Sequence, residues 1–375
     1  MIKYSLVIVL SKQFVSLLES ALRIYSPSDS EKDISNFLFN TMKDLGFSNI
    51  RIDSADNVIG EIGSGNPTLL LCGHMDTVPG ELDVKSNNGT LSGRGAVDAK
   101  SSLISMISAA SSFCNNLPLG RIIVAAVTNE EGNGSGIREF LKSNIMPDFA
   151  IFGEPSGIEK ITIGYKGRLS LKIICNTPSV HASAPWMSKN AIEELYLIWN
   201  DIKNNFPNEH SNHYKQVTAC ITKIIGGNAD NVMPGVCELT CDVRFPYRYE
   251  SNKILDKIQT IVNENNNNNS DSSYLLEILD STPAFEASKS SLISRALGRS
   301  IIHHLDIKPQ FVHKTGTGDM NVLGNSLQIP VVTYGPGNPH LSHTSNENIS
   351  IDEFLMSIEI YKTAITNLIH LYGQN

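Results

Sequence analysis

The chain has 375 residues, with 30 basic against 38 acidic side chains and a net charge of -8. That length is too great for one compact core and predicts two domains, while the acidic balance excludes the basic footprint of a nucleic-acid binder. The six cysteines (Cys72, Cys114, Cys175, Cys220, Cys237, Cys241) lie mostly in apolar runs without short paired spacing. They read as reduced core residues of a soluble cytoplasmic protein, not as a disulfide frame or a Cys-type zinc site.

In chain order, the apolar stretch 4–10 is short and lacks both a basic cluster and a small-residue cleavage site, so no signal peptide is expected. No other run approaches the length of a membrane span. The apolar run 69–72 then reads as a buried strand ending in Gly73-His74-Met75-Asp76. His74 and Asp76 point to one face of such a strand. There they share a metal, or the carboxylate orients the imidazole; a hydrogen-bonded surface histidine is the plain alternative. Residues 93–100 place Asp98 in a glycine-rich turn before a helix rich in Ser, Ala, Ile and Met. The apolar strand 121–128 ends in Asn129-Glu130-Glu131-Gly132, and the strand 149–152 ends in Gly153-Glu154-Pro155. Three strands thus deliver His or carboxylates at their C-terminal ends, where open α/β sheets bind ligands.

These donors suit zinc or a similar divalent ion. His74, Asp98, Glu131, Glu154 and a late histidine, with Glu130 to spare, are too many for one tetrahedral ion. Two ions about 3.5–4 Å apart, sharing a carboxylate and a water, would use them all. Of the adjacent Glu130 and Glu131, one is held by metal and its neighbour stays free to take a proton from that water. Such a set belongs to a metal-assisted hydrolase.

Residues 166–280 change character. Strands are predicted over 169–175, 216–225 and 238–245, and helices over 191–204 and 253–263. The β-α-β-β-α-β order suits a ferredoxin-like insert. The asparagine run 265–269 is expected to be an exposed loop, with a hinge at Ser281-Thr282-Pro283 returning the chain to the larger domain. Within the insert, His181 lies in a turn and Asn231 precedes the strand carrying Arg244. A guanidinium suits bidentate binding of a carboxylate, with a surface ion pair to Asp242 or Glu238 as the alternative. Further on, Thr315-Gly316-Thr317-Gly318 is a tight loop whose backbone N–H groups suit a carboxylate. The late histidine is His343 or its neighbour His340.

The ordered motifs 73–79, 93–100, 129–132 and 153–155 resemble the co-catalytic zinc peptidase family of carboxypeptidase G, acetylornithine deacetylase, succinyl-diaminopimelate desuccinylase and aminoacylase. The resemblance spans nearly the whole chain. It implies an α/β fold: a zinc-peptidase catalytic domain, with a mixed sheet flanked by helices, over 1–165 and 281–375. An inserted ferredoxin-like α+β dimerisation domain would occupy 166–280. Carried over residue by residue, it implies two divalent metal ions, zinc with cobalt or manganese as alternatives, bridged by Asp98. His74 and Glu154 complete one site, and Glu131 and His343 the other. Asp76 orients His74, and Glu130 is the general base. In the implied homodimer, His181 reaches the partner's site and donates a hydrogen bond to the oxyanion. Arg244, with Asn231, binds a substrate carboxylate.

The segments 164–168, 314–321 and 334–337 look closest to the amino-group-carrier lysine and ornithine hydrolases. Those enzymes of lysine and arginine biosynthesis release the amino acid from the γ-carboxyl of a carrier protein's terminal glutamate. An acidic carrier calls for a basic rim on this acidic chain, with Lys160, Lys166, Arg168 and Lys314 as candidates. The alternatives are an acetylornithine or acetyl-lysine deacetylase, a dipeptidase, and a peptidase-like binding module without catalysis. The last is expected to lack a ligand or the base, and here all are present.

Overall fold

The structure is a computed structural model that describes residues 2–117, 119–206, 212–268 and 271–374. The chain forms two compact units. One comprises Met1–Ile163, Ala287–Val312 and Gly318–Asn375; the other comprises Gly164–Glu286 and His313–Thr317.

The first unit is built on a mixed sheet whose neighbouring strands run Ser48–Ile52, Val58–Ser64, Gly120–Val127, Thr68–His74, Phe149–Gly153 and Val331–Tyr334. Along this order the first two pairings are antiparallel and the next three are parallel. Every residue of Thr68–His74 and of Phe149–Gly153 is buried, as expected of parallel strands covered on both faces. Each fully buried Leu, Ile or Val here contributes roughly 1.5–3 kcal/mol. His74 pairs with Val127, and Cys72 with Phe152. These registers bring the C-terminal ends of all three strands to one edge, and the site follows from that.

Helix Lys100–Ser111 is buried along nearly its whole length and packs between the sheet and helix Ile351–Tyr372. Its small residues allow the close approach: Ser105 Oγ lies 2.8 Å from Ser357 Oγ. Ile351–Tyr372 begins on the Ser350 hydroxyl, which accepts from the Glu353 N–H, with Asp352 and Glu353 in the first turn. Among the described residues, no helix is long and apolar enough to cross a membrane.

The second unit has the element order Gly167–Asn176, Ala191–Asn204, Thr218–Gly226, Val236–Phe245, Ser251–Asn268 and Ser273–Thr282. Its 4-stranded antiparallel sheet is ordered Thr218–Gly226, Val236–Phe245, Gly167–Asn176, Ser273–Thr282. That is the ferredoxin-like arrangement. Cys237, Leu239, Cys241, Val243 and Phe245 alternate inward and pack with residues of both helices, including Ile198, Ile202 and Ile258. The loop His313–Thr317 belongs to this unit because Lys166 N–H donates to Lys314 O and the Thr317 hydroxyl donates to Lys166 O at 2.6 Å.

One expectation fails here. The asparagine run does not open into a loop; the helix continues through Asn268, and Asn269 lies outside the described residues. Side-chain amides stand in for apolar burial. Asn265 Nδ2 donates to Ile261 O, and Asn266 exchanges two hydrogen bonds with the backbone of Tyr274 at 2.8 and 2.9 Å.

Candidate metal centre

The strand ends deliver their side chains to one place. His74 Nε2 lies 3.3 Å from Asp98 Oδ1 and 3.4 Å from Glu154 Oε1. His343 Nε2 lies 3.3 Å from Asp98 Oδ2 and 2.8 Å from Glu131 Oε1. Two donor clusters result, each with its ligand atoms within 4.8 Å of one another, and Asp98 belongs to both. Each of its oxygens faces a different histidine, as a carboxylate shared by two ions must. His340 is not part of either cluster; it sits in the short turn Pro339–Leu341.

The candidate donors are held from behind. His74 Nδ1 lies 3.0 Å from the main-chain oxygen of Asp76 and 3.5 Å from its carboxylate. A proton on Nδ1 leaves the Nε2 lone pair facing the cluster. The Asp76 carboxylate does more: it accepts the N–H groups of Glu130 and Glu131, each at 3.1 Å, and the Ser28 hydroxyl at 2.7 Å. It therefore fixes the turn that aims both glutamates. Asn129 enters that turn in the left-handed region at φ 59°, which asparagine tolerates, and its side chain accepts from Asn133 N–H.

The electrostatics fit a cation. Burial disfavours a charged His74, yet the carboxylates of Asp76, Asp98 and Glu154 hold its proton well above the usual histidine range. Hydrogen bonds to Asp98 and Glu131 push His343 up to about 10. Burial, with Glu154 and Asp319 nearby, pushes the Glu130 carboxyl well above the carboxylate range. Imidazole and carboxylate donors crowded into so negative a site make a donor set for divalent zinc, cobalt or manganese.

The profile of the family described as Peptidase family M20/M25/M40 matches residues 70–367. The chain belongs to this family. Membership makes it a metallohydrolase acting on amide bonds. A putative [LysW]-lysine/[LysW]-ornithine hydrolase from Pyrobaculum aerophilum is 33% identical, with 94% of this chain and 96% of that protein aligned. A [LysW]-lysine/[LysW]-ornithine hydrolase from Saccharolobus solfataricus is also 33% identical, over 94% of this chain and 95% of that protein. Among solved structures, the aminopeptidase PepT of Bacillus cereus superposes with a TM-score of 0.81 at 20% identity, covering 96% of this chain and 99% of that one. The YXEP protein of Bacillus subtilis, described as a dinuclear metal binding peptidase from this family, gives 0.73 at 14% identity, covering 96% and 99%. At such identities the solved structures speak for the fold.

In this M20-type chain the other candidate residues, Gly318 excepted, lie in the second unit. His181 is exposed, and its Nδ1 accepts the Ser183 N–H at 3.1 Å. Nε2 is thereby left as the N–H of the neutral ring. Asn231 is exposed, and its carbonyl accepts from Ala182 N–H. Arg244 pairs with Asp242 through Nε at 2.6 Å and Nη2 at 3.2 Å, so its guanidinium already has a carboxylate. Thr315 and Gly316 are exposed, and Thr317 is half-buried. The basic rim requires a correction. Lys166 is fully buried, its Nζ donating to the Thr218 hydroxyl at 3.3 Å; burial, with Arg244 close by, lowers its ammonium to about 8. Such a group offers no surface charge. Arg168 pairs with Asp242 at 2.7 Å and with Asp280 at 3.6 Å.

Sequence reasoning passed over Asp319 and gave Gly318 a different role, both of them in the first unit. Asp319 is buried in the first turn of helix Asp319–Leu327, its Oδ2 without a hydrogen-bond partner among the described residues. Burial drives its carboxyl up to about 8, with the Asp76 and Glu154 charges adding to the shift and His74 opposing it. The other is Gly318, where a Cβ would stand 2.9 Å from Glu130 Oε1. Its N–H is taken by Asn321 Oδ1 at 3.2 Å. The glycine gives the Glu130 carboxylate room. Gly318→Ala should displace that carboxylate and lower kcat by up to about a hundredfold, with metal content and Tm near wild type. Unchanged kcat would show that Glu130 swings aside without loss.

Proposed function

We propose that this chain releases lysine or ornithine from the γ-carboxyl of the terminal glutamate of an acidic amino-group carrier protein, in cytoplasmic lysine or arginine biosynthesis. The relatives at 33% identity along most of the chain support that substrate. The observation that carries the chemistry is Asp98, one carboxylate with its two oxygens turned to two histidine-containing clusters.

His74 and Glu154 would hold one divalent ion, Glu131 and His343 the other, and Asp98 both; zinc suits the donors, with cobalt or manganese as alternatives. When bound, the ions acidify a water and polarise the amide carbonyl. Glu130 accepts a proton at its carboxylate and passes it to the leaving amine. In a homodimer, the partner subunit's His181 would turn its Nε2–H to the oxyanion. Arg244, Asn231 and the loop Thr315 to Gly318 would receive the released amino acid's α-carboxylate.

A small-molecule deacylase remains the second reading, because Lys166 is buried and Arg168 is engaged by two aspartates. One assay separates the two: purified protein with carrier-linked lysine, carrier-linked ornithine, acetyl-lysine and acetylornithine, with and without added Zn²⁺ or Co²⁺. Carrier conjugates should turn over fastest. Their cleavage should also weaken more on going from low to moderate salt, since contacts to an acidic carrier are partly electrostatic. Faster turnover of acetylornithine, or equal salt sensitivity on both substrate types, moves the assignment to the deacetylase.

A further inference from the structure

Arg94 and Glu347 each stand in a segment that carries a metal-ligand candidate, yet neither belongs to a donor cluster. The two side chains form an ion pair, Nη1 to Oε2 at 2.8 Å, with 8% and 1% of their side chains exposed. The other oxygen of Glu347 accepts three donors of one loop: Gly95 N–H at 3.0 Å, Val97 N–H at 2.9 Å and Asp98 N–H at 3.0 Å. Arg94 reaches two more main-chain oxygens, Thr344 O from Nη1 at 3.2 Å and Gly80 O from Nε at 2.8 Å. Thr344 follows His343, whose backbone is in the left-handed region at φ 63°.

We propose that the Arg94–Glu347 pair is a positioning clamp that joins the Asp98 turn to the His343 turn, so that one carboxylate can serve both ions. The inference rests on the two-metal reading above. The Glu347 carboxylate sets the Asp98 backbone by accepting the Asp98 N–H, and Arg94 holds the Thr344 carbonyl beside His343. Both therefore act on the ligands through main chain and touch no substrate. Stability alone explains the pair poorly. A buried ion pair loses much of its attraction to desolvation and is often replaceable by apolar groups. What an apolar pair cannot supply is an acceptor for three loop N–H groups and a fork across two carbonyls. Segments more than two hundred residues apart in sequence are thereby brought into one register, continued by the pairing of Asn348 with Ser92.

The test is Co²⁺ titration of the metal-free full-length protein, read by visible absorption and by competition with a chromophoric chelator. Wild type should take up two equivalents. Glu347→Gln and Arg94→Met should bind Co²⁺ about 10- to 100-fold more weakly, with an altered spectrum, as expected when groups supporting metal ligands are removed. Arg94→Lys keeps the charge but gives up the fork, so its affinity should fall as well. That variant decides the matter if either of the others fails to fold. A merely structural role would lower the metal-free Tm and leave the affinity of the folded protein unchanged; wild-type affinity in the folded variants overturns the clamp. If wild type itself binds no Co²⁺, the two-metal reading fails first and the clamp falls with it.

Discussion

Glu130→Gln should lower kcat by about a hundredfold to ten-thousandfold while the protein keeps its full metal content, because the change removes a proton acceptor and no ligand. The structure separates the two neighbouring glutamates. Glu131 Oε1 lies 2.8 Å from His343 Nε2 within a donor cluster, and Glu130 is in neither cluster. Both are aimed by one carboxylate, that of Asp76, through their backbone N–H groups. Burial raises the proton affinity of Glu130, and the Glu154 and Asp319 charges add to the effect. A carboxyl so placed can hold a proton between its removal from water and its delivery to the amine. Metal analysis of the variant beside its kcat checks the assignment. Clear loss of metal would mean that Glu130 and Glu131 exchange roles.

His181→Ala should cost about a hundredfold to a thousandfold in kcat if its Nε2–H stabilises the oxyanion across a dimer. The more informative experiment is a mixture. His181→Ala dimers and Glu130→Gln dimers, each nearly inactive, should regain activity when subunits exchange. One site of the mixed dimer then combines an intact Glu130 with a His181 from the other subunit. The Ser183 N–H on Nδ1 already prepares the tautomer that this role needs. Demonstrated exchange without recovery would leave His181 acting within its own chain or not at all.

Much of this is legible in the sequence. His74, Glu130, Glu131 and Glu154 stand at or just beyond the ends of apolar strands, and a strand that must be buried on both faces can deliver polar side chains only at its end. Asp98 was legible from its glycine-rich turn ahead of a helix of small residues. The insert's alternating pattern was equally plain, because inward positions such as Leu239, Cys241 and Val243 repeat with period two. The asparagine run departs from its expected loop because composition reports only what cannot be buried apolarly. It does not report that an amide can bond to a neighbouring strand, as Asn266 does with Tyr274.

The sequence alone determined the chemistry. Residue types, their order and their strand-end placement point to a two-metal hydrolase, because few other functions need that many His and carboxylate donors in succession, and the family resemblance adds the amide bond. Only the tertiary structure decided which atoms meet. It set His343 rather than His340 beside Glu131 and Asp98. It gave the Asp76 carboxylate to the Glu130–Glu131 turn, and it buried Lys166 where a surface charge was expected. It also paired Arg94 with Glu347 across the length of the chain. Each of these depends on contacts between segments far apart in sequence. A local pattern carries the propensity and the side-chain chemistry of its own segment, whereas burial and hydrogen-bond partners are set by what the fold packs against it.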